Sequence, residues 1–145
     1  DHLDLAARMD ELVLVHTPHL ADKYQGTRMI LDMVKGDGRI KPERVCIDHV
    51  EEHTIRPALD AGHWVGMTLY PISKCTPARA ADMVEAYGSD RVMVNSAGDW
   101  GHSDPLAVPE FIFEMKRRGH DEALIRKVVY DNPLAFFRQS RRFKS

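Results

Sequence analysis

Val13-Leu14-Val15-His16-Thr17-Pro18-His19 decides how this chain is read: an apolar run, opened by Leu12, stops abruptly at an imidazole, a threonine and a proline. A short continuous apolar run bounded by turn signals reads as a buried strand. Three further runs repeat the pattern downstream. Val45-Cys46-Ile47 ends near His49, residues 64–70 end at Pro71, and Val92-Met93-Val94 runs into Asn95 and Ser96. Between them the apolar spacing changes to that of helices. Met29, Ile30, Met33 and Val34 form one stripe, and Ile55 and Leu59 form another that Gly62 caps. Thr76-Pro77 reads as an N-cap with proline in the first turn, ahead of Ala80, Ala81, Met83, Val84 and Tyr87, with Gly88 as the stop. Val108, Phe111, Ile112 and Met115 give a fourth face, closed by Gly119. Strands alternating with helices are the signature of βαβ units, so the fold class is α/β with parallel strands and crossover helices.

At the two ends of the chain the pattern changes. Leu3, Leu5, Ala6 and Met9 make a helical stripe that runs straight into the first strand. Residues 121–129 and then Asn132-Pro133-Leu134-Ala135-Phe136-Phe137 read as two short helices broken before the proline, because the residue before a proline disfavours helical geometry. Residues 1–145 are expected to form a single domain, with no linker or repeat. Four parallel strands alone leave two unpaired edges, which proteins normally cover or close. A second polypeptide segment supplying four more strands, a second copy, or a stand-alone open sheet would each answer that problem.

The composition narrows the function classes. With 43% hydrophobic and 29% charged residues and a net charge of −2, the chain resembles an ordinary globular protein and lacks the basic face of a phosphate-neutralising nucleic-acid binder. No apolar stretch is long enough to span a bilayer, so no membrane partner is expected. Cys46 and Cys75 have no ligand-like spacing and read as reduced thiols of a cytoplasmic protein. Arg138, Arg141, Arg142 and Lys144 read as a solvated tail.

Chemistry collects at the strand ends, the one rim that the covering helices leave open in parallel α/β folds. The first strand ends in His16, Thr17, Pro18 and His19. The second ends in Asp48, His49, Val50, Glu51, Glu52 and His53, and the fourth in Ser96, Ala97, Gly98, Asp99, Trp100, Gly101 and His102. Imidazole and carboxylate on neighbouring strand ends can converge on one divalent cation. His19, His53, Trp100 and His102 are secondary candidates for substrate contact, weighed against solvated or packing roles. Asp104 before Pro105 is read as a helix cap.

These strings resemble a known family. Val13 to His19, the later Ile47-Asp48-His49, and residues 92–100 with Asp99-Trp100 look like strands five, six and eight of the amidohydrolase superfamily, and more narrowly of the TatD-related metal-dependent hydrolases. The ending Asn132-Pro133-Leu134-Ala135-Phe136-Phe137 is similar to the one found there. The resemblance implies the C-terminal half, strands five to eight, of a (β/α)8 TIM-type barrel, which the last two helices are read as capping. His16, His49 and Asp99 would be its metal ligands and Asp99 also its catalytic proton acceptor, with zinc or manganese as the divalent ion. The implied activity is hydrolysis of an ester, amide or phosphoester by a metal-activated water. A small molecule or phosphoester is the implied substrate, and nucleic acid only under a TatD-like nuclease reading. The His-x-His of the family's first strand and its strand-four carboxylate or lysine have no counterpart, so the N-terminal half of the barrel is expected on a missing segment or a separate chain, or replaced by a homo-oligomer. The alternative is a non-catalytic structural or scaffolding half-barrel acting through association.

Overall fold

A computed structural model describes residues 2–17, 22–72, 74–98 and 102–144. Helix α1 (His2–Met9) leads into strand β1 (Val13–His16), helix α2 (Lys23–Gly36), a 3-10 turn (Pro42–Arg44) and strand β2 (Val45–Asp48). Helix α3 (Ile55–Asp60), strand β3 (Trp64–Leu69), helix α4 (Pro77–Tyr87), strand β4 (Val92–Ser96) and helix α5 (Ala107–Arg117) follow. Helix α6 (Glu122–Arg126), a π-helical segment (Lys127–Asp131) and helix α7 (Asn132–Phe137) close the chain.

All three strand pairs are parallel and the order is β1-β2-β3-β4. Because the order never reverses, the crossover helices gather on one face, the arrangement of a barrel wall and not of a doubly wound sheet. Strand alternation sorts the residues accordingly. Val45, Ile47, Val65, Met67, Leu69, Val92 and Val94 point to the helices and join Val34, Ile55, Ala58, Ala80, Met83, Phe111, Met115 and Val128 in one core. The opposite face carries Cys46, Trp64 and Met93 in its lower part, where Phe136 of α7 packs against them.

The helix signals act as expected. The Thr76 hydroxyl accepts from Arg79 N–H at 3.2 Å, and Gly62, Gly88 and Gly119 take the left-handed φ that ends α3, α4 and α5. Asp104 is not the cap expected of it: α5 starts at Ala107 with Leu106 in the N-cap position and no side-chain cap bond, and Asp104 Oδ1 accepts from Leu106 N–H at 2.7 Å in the turn before the helix. Cys46 and Cys75 are both free and buried. Burial raises both thiols, that of Cys75 up to about 11, so neither is a ready nucleophile.

The expected break before Pro133 does not occur. Asn132 keeps helical geometry (φ −64°, ψ −51°), and the path from α6 into α7 continues through the π-helical turn. A proline lacks the N–H and pushes on the carbonyl four residues back, and a wider turn relieves both problems. Asn132 Nδ2 holds this geometry by donating to Ser89 O and Val92 O, each at 2.7 Å, which ties α7 to the start of β4.

Candidate metal centre

Above its apolar lower part, the sheet face opposite the crossover helices turns polar. His16 and Asp48 are register partners at the ends of β1 and β2, and Thr68 and Asn95 are partners on β3 and β4. The Asp48 side chain, 9% exposed, receives Thr68 Oγ1–H at 2.9 Å and Asn95 Nδ2–H at 3.2 Å, both on Oδ1. Its Oδ2 faces His16 Nδ1 at 3.3 Å and His49 Nε2 at 3.8 Å, and the two imidazole nitrogens lie 2.8 Å apart. Three ligand atoms from His16, Asp48 and His49 thus lie within 4.8 Å of one another.

Consecutive strand residues normally point to opposite faces. Asp48 and His49 converge because His49 sits at φ 61°, a left-handed conformation that turns its ring back towards Asp48. Such a backbone costs about 1–3 kcal/mol and persists only where its surroundings fix it. Thr17 helps to fix it: its hydroxyl lies 2.9 Å from Asp48 O and 3.3 Å from His49 O, and its N–H donates to Asp48 O at 3.3 Å.

Gly66 on β3 makes the remaining room. A Cβ there would collide with the Asp48 carboxylate and come within 3.1 Å of Asn95 Nδ2. The glycine is therefore a requirement of the close approach and not of backbone freedom.

Burial, the largest influence, holds the His49 imidazole below its ordinary value; Asp48 opposes this and Lys74, His16 and Lys23 reinforce it. The ring is thus neutral at neutral pH, the form that donates a lone pair. Its Nδ1 is buried with no hydrogen-bond partner among the described residues, a cost of about 1–3 kcal/mol for a ring whose other nitrogen faces His16 and Asp48. That cost marks a ring held for what Nε2 meets. For the fit of a cation, the three separations of 2.8, 3.3 and 3.8 Å bracket the about 3.3 Å between ligand atoms in tetrahedral coordination with bonds of about 2.0–2.1 Å. Two imidazoles and a carboxylate are also donors that zinc and similar ions accept.

Lys23 lies in the first turn of α2, 8% exposed, with Nζ 3.4 Å from Glu51 Oε1. Burial lowers its pKa, against the pull of Glu51. Lys74 lies 4.7 Å over the ring of the buried Tyr70.

Of the three ligands expected from the sequence, His16 and His49 are brought together, and Asp99 lies outside the described residues, as do His19 and Trp100. His53, on the turn before α3, and His102, beyond β4, are exposed, and neither belongs to the three-residue group. Asp48 and Lys23 were not singled out from the sequence. Asp48 was legible only as one strand-end acid among several, and Lys23 carried no signal.

No family model matches the chain. It is 31% identical over 140 residues, 95% of its length, to an uncharacterized metal-dependent hydrolase of Methanocaldococcus jannaschii, and spans 53% of that relative. Its fold superimposes on the TatD-like protein of Archaeoglobus fulgidus with a TM-score of 0.71 and 26% identity, covering 94% of this chain and 51% of that one. It also superimposes on the phosphotriesterase homology protein of Escherichia coli, solved with phosphate in its active site. There the TM-score is 0.72 and the identity 17%, over 91% of this chain and 50% of that one, a likeness of fold alone. The four-stranded parallel sheet with its helices is thus the counterpart of about half of each of these proteins.

Proposed function

We propose, from the chain's relation to a metal-dependent hydrolase and to a TatD-like fold, that it carries part of the active site of a metal-dependent hydrolase acting on an ester, amide or phosphoester. The observation that carries the reading is the convergence of His16 and His49 at the ligand-bearing rim, beside a buried carboxylate. A divalent cation held there, zinc or manganese, would lower the pKa of a bound water from about 15.7 towards about 7 and polarise the substrate's carbonyl or phosphoryl oxygen. His49 holds its lone pair ready because burial keeps it neutral, and His16, 67% exposed, lies on the side from which substrate can approach. We assign Asp99 as a further ligand and as the group that takes the proton from the attacking water and returns it to the leaving group. His19, His53, Trp100 and His102 are proposed as weak substrate contacts at the same rim.

The sheet face opposite the crossover helices bears Leu14 at 47% exposure on edge strand β1, beside the packed lower part of the sheet. Apolar surface on an unpaired edge favours association. We therefore propose that four further strands, from a preceding segment or a separate subunit, complete the barrel, with closure by a second copy as the alternative. Among the described residues no helix is long and apolar enough to cross a membrane, and a cytoplasmic location belongs to the same proposal. Nucleic acid would be a substrate only if the activity is that of a TatD-like nuclease.

The test is metal content by elemental analysis together with hydrolysis of nitrophenyl acetate and of bis-nitrophenyl phosphate, with and without chelator and with and without the other four strands of the barrel, turnover being expected when those strands are supplied. One ion per chain and chelator-sensitive turnover, lost in Asp99→Asn, support the proposal. A metal-free, inactive chain in a defined assembly would favour a scaffolding role instead.

A further inference from the structure

We propose that Asp48 is itself a ligand of this centre, so that His16, Asp48 and His49 form a three-donor site for a divalent cation. The inference rests on the metal-hydrolase reading and extends it to a residue that reading leaves unassigned.

Four observations carry it. First, the two oxygens of Asp48 are differently engaged: Oδ1 takes both hydroxyl and amide donors, from Thr68 and Asn95, while Oδ2 faces imidazole nitrogens of His16 and His49. A carboxylate fixed by neutral donors on one oxygen has the other aimed and ready to coordinate, the usual way in which outer partners orient a ligand. Second, this side chain is nearly buried, and among the described residues no lysine or arginine lies within ion-pair distance of it, Lys23 acting on it only from further away. Removing an ionised carboxylate from water costs several kcal/mol unless a charge compensates it, and a cation between Oδ2 and the two rings supplies that charge. Third, the left-handed turn at His49 points two adjacent residues at one spot. The strain is needed only if both side chains must reach it. Fourth, Gly66 keeps open the volume that the carboxylate occupies; any larger residue would force Asp48 out of the position it holds.

The experiment uses the whole 145-residue chain, stripped with chelator and titrated with Co(II) and Zn(II) by calorimetry and by the visible absorption of cobalt. One ion per chain is expected in the parent. Asp48→Asn keeps the shape and the capacity to bond Thr68 and Asn95, yet should weaken binding by at least about a hundredfold and alter the cobalt spectrum. Unfolding curves of the stripped variants check that the fold is retained. Should Asp48→Asn fail to fold, carboxyl-carbon NMR of the parent replaces it: the Asp48 Cγ resonance must move in step with zinc saturation. Full affinity in Asp48→Asn, weaker binding with an unchanged cobalt spectrum, or a static Cγ resonance would each overturn this inference while leaving a metal hydrolase intact. A parent that binds no ion would overturn the broader reading as well.

Discussion

The lower and upper parts of the sheet face opposite the crossover helices share strands, register and alternation, yet do opposite things. Below, Cys46, Trp64 and Met93 fill their space and Phe136 closes it from underneath, with Trp64 and Phe136 ring centroids 5.9 Å apart. Above, Gly66 leaves space unfilled, and His16, Asp48, Thr68 and Asn95 line it with hydrogen-bonding groups. One part buries apolar area and stabilises; the other carries a left-handed residue and a buried nitrogen with no partner among the described residues, features of a site and not of a core. The same backbone pattern therefore supports a plug or a binding site, depending on whether side-chain volume fills it or is withheld.

The comparison breaks most visibly at Phe136. Phe136→Ala should cost about 3–5 kcal/mol in urea unfolding, since a fully buried ring leaves a cavity, while metal affinity at the upper rim changes less than about threefold. Equal loss of affinity and stability would show that the two parts are not separable. Next in size is Gly66→Val, which fills the upper space. Overpacking should cost about 1–3 kcal/mol, and displacement of Asp48 should weaken metal binding, both read on one sample. Thr17→Val removes the hydroxyl that braces the Asp48 and His49 carbonyls, at about 1 kcal/mol in the metal-free chain, with a lower metal affinity as the second readout.

The smallest effect is that of pH. Burial lowers His63 below its ordinary 6.5; the backbone of Pro42 opposes this and Arg91 reinforces it. The unfolded chain then binds this proton before the folded one does, so stability is full above about pH 6.5 and is lost as pH falls from there through the folded value. Buried His49 adds to the same slope. Thermal midpoints of the metal-free chain should decline on acidification in that window, and His63→Gln should flatten the decline.

Much of this was legible in the amino-acid order. Apolar runs and their stops locate all four strands to within two residues, because a strand buried under helices must be apolar whatever its neighbours are. The caps at Thr76, Gly62, Gly88 and Gly119 are equally local and needed no tertiary context. His16 and His49 stood out because strand ends are where a parallel sheet exposes chemistry. Asp48 did not, since alternation assigns it and His49 to opposite faces and only an observed dihedral reverses that. The unbroken path into α7 was likewise hidden, because the rule for residues before proline is local and the anchoring of Asn132 to the start of β4 is not.

The sequence by itself determined which segments are strands and helices, that the sheet is parallel, and that imidazole and carboxylate groups gather at its rim, because periodicity and side-chain chemistry are properties of short stretches. Only the tertiary structure decided that Gly66 is a space for Asp48, that Asp48 and His49 face the same point, and that Phe136 lies beneath them. Those are distances between residues far apart along the chain, and packing alone sets them.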